Sequence, residues 1–401
     1  MAQLQTPLVP PSLVSNSGFF LFIVLLTAAN LRAPITAIGP VLDNIRATFG
    51  LSASAAGWLN FIPLIMFAAL APAASWLGNR AGLEKSLWGG VCLITLGSLL
   101  RISGSEAGLW SGTLILSIGI AAANVLLPPL IKRDFKNHTA KYIGLYASTM
   151  SITASLASGI AVPLARAGNA GWFLSVGIWT TLPLIAAIAW LPQLKKTKRP
   201  AANIKMRGET RLRNPWRSVL GWQVSLFMAL HSMVFYTLID WFTPFAQDKG
   251  FSQMTAGWLL FVYQATAIIA NLMCMLALKK FRDQRLIGFI ASFAIFTGLS
   301  GLLLAPSLAL LWLIIAGLGA GASMVTCLSL FNLRAGDHAQ AAHLSGMAQC
   351  VGYGLAAVGP LFFGILHEHG GDWSGPLLML LAMSLLQLII APLAGRNKQI
   401  G

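Results

Sequence analysis

The chain has 401 residues, 56% of them apolar and only 9% charged, against about 25% charged in a typical soluble domain. A soluble fold of that mixture could not cover its surface, so lipid is part of the solvent. At roughly 20 apolar residues per crossing the length holds about twelve spans with no sizeable extramembrane domain. Most ordinary enzymes are thereby excluded, and the meaning of the +16 formal net charge depends on where the charge sits.

Residues 1–17 contain no Lys or Arg, so the basic start of a cleaved signal peptide is missing and the first span is expected to stay as an anchor. Apolar runs bounded by charge clusters predict spans at 18–42, 54–78, 86–103, 108–131, 142–165 and 171–192. Six more follow at 219–246, 255–279, 286–305, 307–331, 342–367 and 373–395. The domain plan is a short tail (1–17), an N-terminal half (18–192), a basic linker (193–218), a C-terminal half (219–395) and a tail (396–401). Alternating the loops puts 22 of the 27 Lys and Arg on one face, which the positive-inside rule makes cytoplasmic, together with both termini. The expected location is the bacterial inner membrane. Basic residues spread over every inner loop, with no recognition motif around them, exclude nucleic acid as a partner; membrane lipid is the partner they imply. Arg46, Arg101, Arg166 and Lys249 fall in loops on the other face.

Arg32 lies inside the first span, about 21 Å along a helix rising about 1.5 Å per residue. A charge there costs on the order of 2.5 to 3.5 kcal/mol and usually faces a bundle interior or a watery cavity. Its guanidinium fork suits a carboxylate-like or nitro group; snorkelling, or a structural pair with Asp240, is the plainer alternative. Trp58, Trp76, Trp110, Trp190, Trp222, Trp241 and Trp258 fall near span ends, as an interfacial belt does. Cys92, Cys274, Cys327 and Cys350 stand singly in apolar runs, which implies neither disulfides nor a metal site. The fifth span's Ser and Thr residues are expected to serve packing.

In the seventh span, His231 is expected at the depth of Arg32 across the cleft, either as a proton carrier or as a histidine hydrogen-bonded within its own half. Asp240, near the end of that span, reads first as a solvated helix-end charge and second as a proton-coupling group or outer gate partner for Arg32. Asn124 and Asn271 are expected to join helices. Asn30, Gln264, Gln349 and Tyr353 are expected, with Arg32, to line a substrate site, Gln349 and Tyr353 sharing one helix face.

The stretch Leu51–Phe61 recurs as Phe251–Phe261, with six of eleven positions identical at a shift of 200. The same shift lays Arg80 and Lys85 over Lys280 and Arg285, and a shift of 201 lays Arg133 over Arg334. Because the shift spans an even number of helices, the halves share one membrane orientation. Two parallel six-helix halves with a site between them near the midplane are the major facilitator plan.

Asn79-Arg80-Ala81-Gly82-Leu83-Glu84-Lys85 resembles the signature loop of the major facilitator superfamily, in which an Asp-Arg-x-Gly core ends in basic residues. The resemblance makes Asn79, Arg80, Gly82 and Lys85 a cytoplasmic gate loop, although Asn79 replaces the usual Asp and removes its charge latch. Asn30-Leu31-Arg32 with Gly39-Pro40, then Asn124–Phe135, and Leu344–Tyr353 with Gly359-Pro360, resemble the cyanate and nitroimidazole permease (CynX/NimT) family over nearly the whole chain. They lie nearer its nitroimidazole-exporting branch.

No Walker loop, zinc spacing or nucleophile, base and carboxylate set is present, so neither an enzyme nor a cofactor nor a metal is expected. The fold expected is an all-α membrane protein of twelve helices in two pseudo-symmetric halves. The function expected is secondary transport of a small planar polar or anionic solute by a proton-coupled monomer. The resemblance tilts it toward export of nitroimidazole-like compounds, with uptake of cyanate-like anions second. A membrane receptor without turnover is the rival from another class.

Overall fold

The computed structural model describes residues 17–135, 139–167, 170–194, 214–336 and 338–400. Residues 1–16 and 195–213, which include the N-terminal tail and most of the basic linker, lie outside the described residues. Twelve segments among the described residues are long and apolar enough to cross a membrane. The first span is not one helix: α1 (Ser17–Ala29) gives way to a four-residue α2 (Ala33–Thr36), a 3-10 turn at Gly39–Val41 and α3 (Leu42–Phe49). Then follow α4 (Ala53–Ala81), α5 (Leu83–Arg101), α6 (Glu106–Asp134) and α7 (Thr139–Arg166). The sixth span is divided into α8 (Trp172–Gly177) and α9 (Thr181–Leu194). The C-terminal half holds α10 (Val219–Asp248), α11 (Gln253–Lys280), α12 (Arg285–Leu304), α13 (Ala309–Leu333), α14 (His338–Gly370) and α15 (Ser374–Ala394).

The duplication survives in local chemistry. Ser52 caps α4 by accepting from the Ala55 N–H at 3.1 Å, and its copy Ser252 caps α11 by accepting from the Thr255 N–H at 3.1 Å. Each hydroxyl satisfies one of the N–H groups a helix start leaves open. It survives in packing too. Gly39 lies against the Ile239 carbonyl, its own counterpart at a shift of 200, as a contact on a twofold axis must. A Cβ on Gly57 of α4 would lie 2.9 Å from the Leu361 Cα of α14, and one on Gly257 of α11 would lie 3.5 Å from the Ser158 carbonyl of α7. Each half thus presses two helices onto the other, and missing side chains set the spacing.

These joints lie on the face away from the basic loops, where the Ser54 N–H at the start of α4 also donates to Glu368 at 3.0 Å. Gln253 of α11 reaches the Pro40 carbonyl at 3.0 Å and Asn44 at 2.6 Å. Toward the basic face, Asn124, Tyr146, Ser345 and Gln349 are only half-buried, whereas Thr237, Asp240 and Gln264 on the other side are buried. The halves are therefore closed together on one face.

Several residues depart from their expected places. Trp190 and Trp241 are buried, donating to the Thr27 hydroxyl at 2.9 Å and the Pro360 carbonyl at 3.0 Å, because hydropathy does not distinguish protein neighbours from lipid. Arg101, counted with the far-side loops although the predicted span 86–103 contains it, ends α5 and is buried. Arg334 is buried at the end of α13, donating to the Ala394 carbonyl at 3.1 Å, the Gly395 carbonyl at 2.9 Å and the Gln284 side chain. Burial pushes its guanidinium below the ordinary arginine range, yet two carbonyls at the end of α15 and the Gln284 side chain at the start of α12 hold it there.

Candidate transport site

The site begins with two prolines. Pro34 has no N–H for the Asn30 carbonyl and Pro40 none for the Thr36 carbonyl, and each ring crowds the carbonyl four residues back. The helix accordingly stops at Ala29, and Asn30 and Leu31 tighten onto the Thr27 and Ala28 carbonyls at 3.1 Å. Side chains take the backbone groups that the breaks release. The Ser158 hydroxyl of α7 donates to the Thr36 carbonyl at 3.2 Å and accepts from Gln264 of α11 at 2.7 Å. The Ile38 N–H turns to the Ile35 carbonyl at 3.2 Å, and the Pro34 carbonyl it leaves accepts from Arg101 at 2.5 Å.

Arg32 sits in that interruption, half-buried. Its guanidinium donates to the Tyr236 hydroxyl of α10, a hydrogen bond between the two halves. Its Cζ lies 5.1 Å from the Tyr236 ring centroid and 5.8 Å from that of Phe235, cation–π contacts of about 0.5 to 2 kcal/mol each. Tyr353 is edge-on to Tyr236 at 6.4 Å and to Phe67 at 5.5 Å, and Tyr263 lies 5.9 Å from Phe235. Tyr146 and Tyr353 are within electrostatic reach of the guanidinium. Among the described residues Arg32 has no ion-pair partner, so the alternative of a pair with Asp240 is not what forms. A cation without a counter-ion, ringed by aromatic faces and phenol hydroxyls, can hold a planar group with acceptor oxygens.

His231 is buried on α10 with its ring 6.1 Å from Phe235 and its Nδ1 unpartnered; the guanidinium of Arg32 is within electrostatic reach. Asp240 is 0% exposed and neither carboxylate oxygen has a hydrogen-bond partner among the described residues. This corrects the reading of a solvated helix-end charge. Gly39 lets the first span lie against the Ile239–Asp240 backbone, and Gly359 of α14 lies against Thr237 and Met233, so the turn that hydropathy assigns to the interface is wrapped by protein.

The other expected residues divide. Tyr353 joins the aromatic group, while Gln349, one turn earlier, donates to Ser345 at 2.9 Å. Asn30 is buried and donates back to the Leu26 carbonyl at 2.7 Å. Gln264 is buried in its link to Ser158, a tie that the packing role expected of the fifth span's hydroxyls did not include. In the basic-face loop Gly82 turns with φ +93°, Lys85 is exposed, and Arg80 lies over Trp76 at 5.2 Å. The Asn79 side chain lies outside the described residues. Glu84 of the same loop pairs with Arg133 at 2.5 Å, and Asp134 bonds Arg133 at 2.7 Å. The hydrogen bonds that Arg133 donates to Asp134 and Glu84 raise its guanidinium further above the ordinary arginine range. The loop thus keeps an acid–base latch built on Glu84. Tyr146, Phe235 and Tyr236 were missed from the sequence. The chain has only five tyrosines, and three of them, at 146, 236 and 353, fall in spans within reach of one arginine, a signal that could have found them.

The Major Facilitator Superfamily matches residues 19–358. The chain belongs to this superfamily. Within it the chain is 39% identical to the 2-nitroimidazole transporter of Escherichia coli K12 over 94% of its own length and 95% of that protein's. It is 27% identical to the cyanate transport protein CynX of the same organism over 93% and 97%, which places it with the CynX/NimT family. A D-xylose–proton symporter crystal structure has the same fold, with a TM-score of 0.74 and 16% identity over 94% of this chain and 97% of that one. The chain is a multi-pass membrane transporter.

Proposed function

We propose that the chain moves a small planar polar or anionic solute by proton-coupled alternating access, and that its cargo is nitroimidazole-like and exported. The observation that carries this is Arg32, an unpaired guanidinium at the interruption of the first span inside a cage of tyrosines. The guanidinium fork meets a pair of acceptor oxygens, and the aromatic faces meet a ring. With the basic face cytoplasmic, the site opens to the cytoplasm in this state, the side from which an exporter loads.

The Arg32–Tyr236 bond ties the halves together, so a substrate that claims the guanidinium loosens one inter-half contact as it binds. Asp240 and His231 supply the proton sites. A buried carboxylate with no protein partner is costly, so Asp240 couples the closing of this face to its own exchange with water. Uptake of a cyanate-like anion is the second reading, supported by Arg32 but making no use of the aromatic cage.

The test is a flux screen in liposomes across 2-nitroimidazole, benzoate, nitrate and cyanate, with the pH gradient imposed in both directions. Gradient-driven flux of ring-bearing solutes above nitrate and cyanate is expected. Flux of cyanate alone would establish the second reading, and binding with no flux in either direction would make the protein a receptor.

A further inference from the structure

We infer that Arg101 is a positioning residue for transport: it props the interruption in the first span and so fixes where Arg32 is presented. The inference rests on the reading of Arg32 as the substrate anchor. Arg101 is 2% exposed and has no ion-pair partner among the described residues. A buried guanidinium of that kind is expensive unless its donors are well used. Nη1 donates to the Pro34 carbonyl at 2.5 Å and Nε to the Thr113 hydroxyl at 3.2 Å.

The Pro34 carbonyl is the acceptor that the irregular backbone leaves open when the Ile38 N–H bonds to Ile35 instead. Without Arg101 it would be a buried carbonyl with no donor in place among the described residues, which is unfavourable. The cheapest escape is for the segment to shift, and Arg32 lies two residues away.

The base of the prop is rigid. A Cβ on Gly112 of α6 would lie 2.5 Å from the Arg101 backbone nitrogen, and one on Gly97 would lie 2.6 Å from the Gly112 carbonyl, so α5 and α6 are in backbone contact beneath it. Thr113, which holds Nε, is itself anchored to the Leu109 carbonyl at 2.7 Å. The fork reaches from this fixed hairpin to the broken span, a geometry that a lysine cannot reproduce with both partners.

The experiment compares Arg101→Met, Arg101→Lys and Thr113→Val with Arg32→Gln, in liposomes with 2-nitroimidazole, alongside hydrogen exchange of the purified proteins over residues 27–41. Arg101→Met is expected to raise KM about tenfold with the maximal rate within about twofold, Arg101→Lys to fall between it and wild type, and residues 27–41 to exchange faster in Arg101→Met. Adding Arg101→Met to Arg32→Gln should cost nothing beyond Arg32→Gln alone, because the prop acts through Arg32. Losses that multiply, or unchanged exchange over 27–41, would overturn the inference. If Arg101→Met does not fold, Thr113→Val, which removes one bond from the prop, carries the same expectation at about threefold, and an unchanged KM there overturns it. Faster exchange combined with undiminished flux in Arg32→Gln would instead refute the anchor reading and leave the prop standing.

Discussion

The first span and α10 occupy matching places in the two halves, cross at Gly39 and Ile239, and are built in opposite ways. α10 runs unbroken for 30 residues, whereas its counterpart is interrupted twice within the same stretch. The shift of 200 sets Pro34 against Val234 and Pro40 against Asp240, so the first span lacks two N–H groups that α10 supplies at those places; the one proline of α10, Pro244, comes in its last two turns and leaves it helical. The broken element carries the cation, and its released carbonyls are taken up by α5 and α7. The continuous one carries Tyr236, His231 and Asp240 on an uninterrupted helix. One half presents a charge from flexible geometry held by neighbours, and the other presents its partners from a rod. A duplicated scaffold thus holds an interrupted element and a continuous one at matching places without changing the fold.

The largest effect should come from Arg32→Lys. It keeps the charge but loses the fork, and at about 2 to 3 kcal/mol for a charge-assisted pair flux of 2-nitroimidazole should fall about 30- to 160-fold at unchanged expression. Moving the arginine to the matching position, as Arg32→Ser with Ser232→Arg, should restore nothing, because Ser232 is buried in an unbroken helix. Restored flux would dissolve the contrast between the two spans.

Next comes Asp240→Asn, which preserves shape and removes ionisation. Flux driven by the pH gradient should drop to the downhill rate while binding, read by ligand-induced thermal shift, persists. His231→Ala should reduce gradient dependence less, and the reverse order would move the proton site to the histidine. Smallest is Pro40→Ala, which returns an N–H to the Thr36 carbonyl and displaces the Ser158 hydroxyl. Flux within about threefold of wild type and a stability change under about 1 kcal/mol are expected from liposome assays and thermal melts.

Much of this architecture was legible in the residues. Hydropathy located the twelve spans, and the repeated Ser-x-x-x-Ala-Gly-Trp segment carried both the duplication and the caps of α4 and α11. Arg32 stood out because a charge in an apolar run has few explanations. Residues at span ends were harder. Arg101, Arg334, Asp240, Trp190 and Trp241 all lie where a run of apolar residues gives out, and one-dimensional hydropathy assigns such positions to loops or interface. Their burial depends on helices far away in sequence approaching at glycines. Tyr236 was passed over for a related reason, since its part depends on crossing from one half to the guanidinium of the other, and only the scarcity of tyrosines pointed to it.

Gly39 has a consequence for the populations of the two states. A methyl group there would collide with the Ile239 carbonyl in the state described, so Gly39→Ala is expected to disfavour that state as a ligand for the opposite one would. Every 1.4 kcal/mol of that collision left unrelieved shifts the ratio of states about tenfold. The face now sealed would be found open in a growing share of molecules, detectable as new labelling of cysteines placed at Thr237 or Gln264. The smallest side chain in the first span is therefore the one that lets the closed state be populated at all.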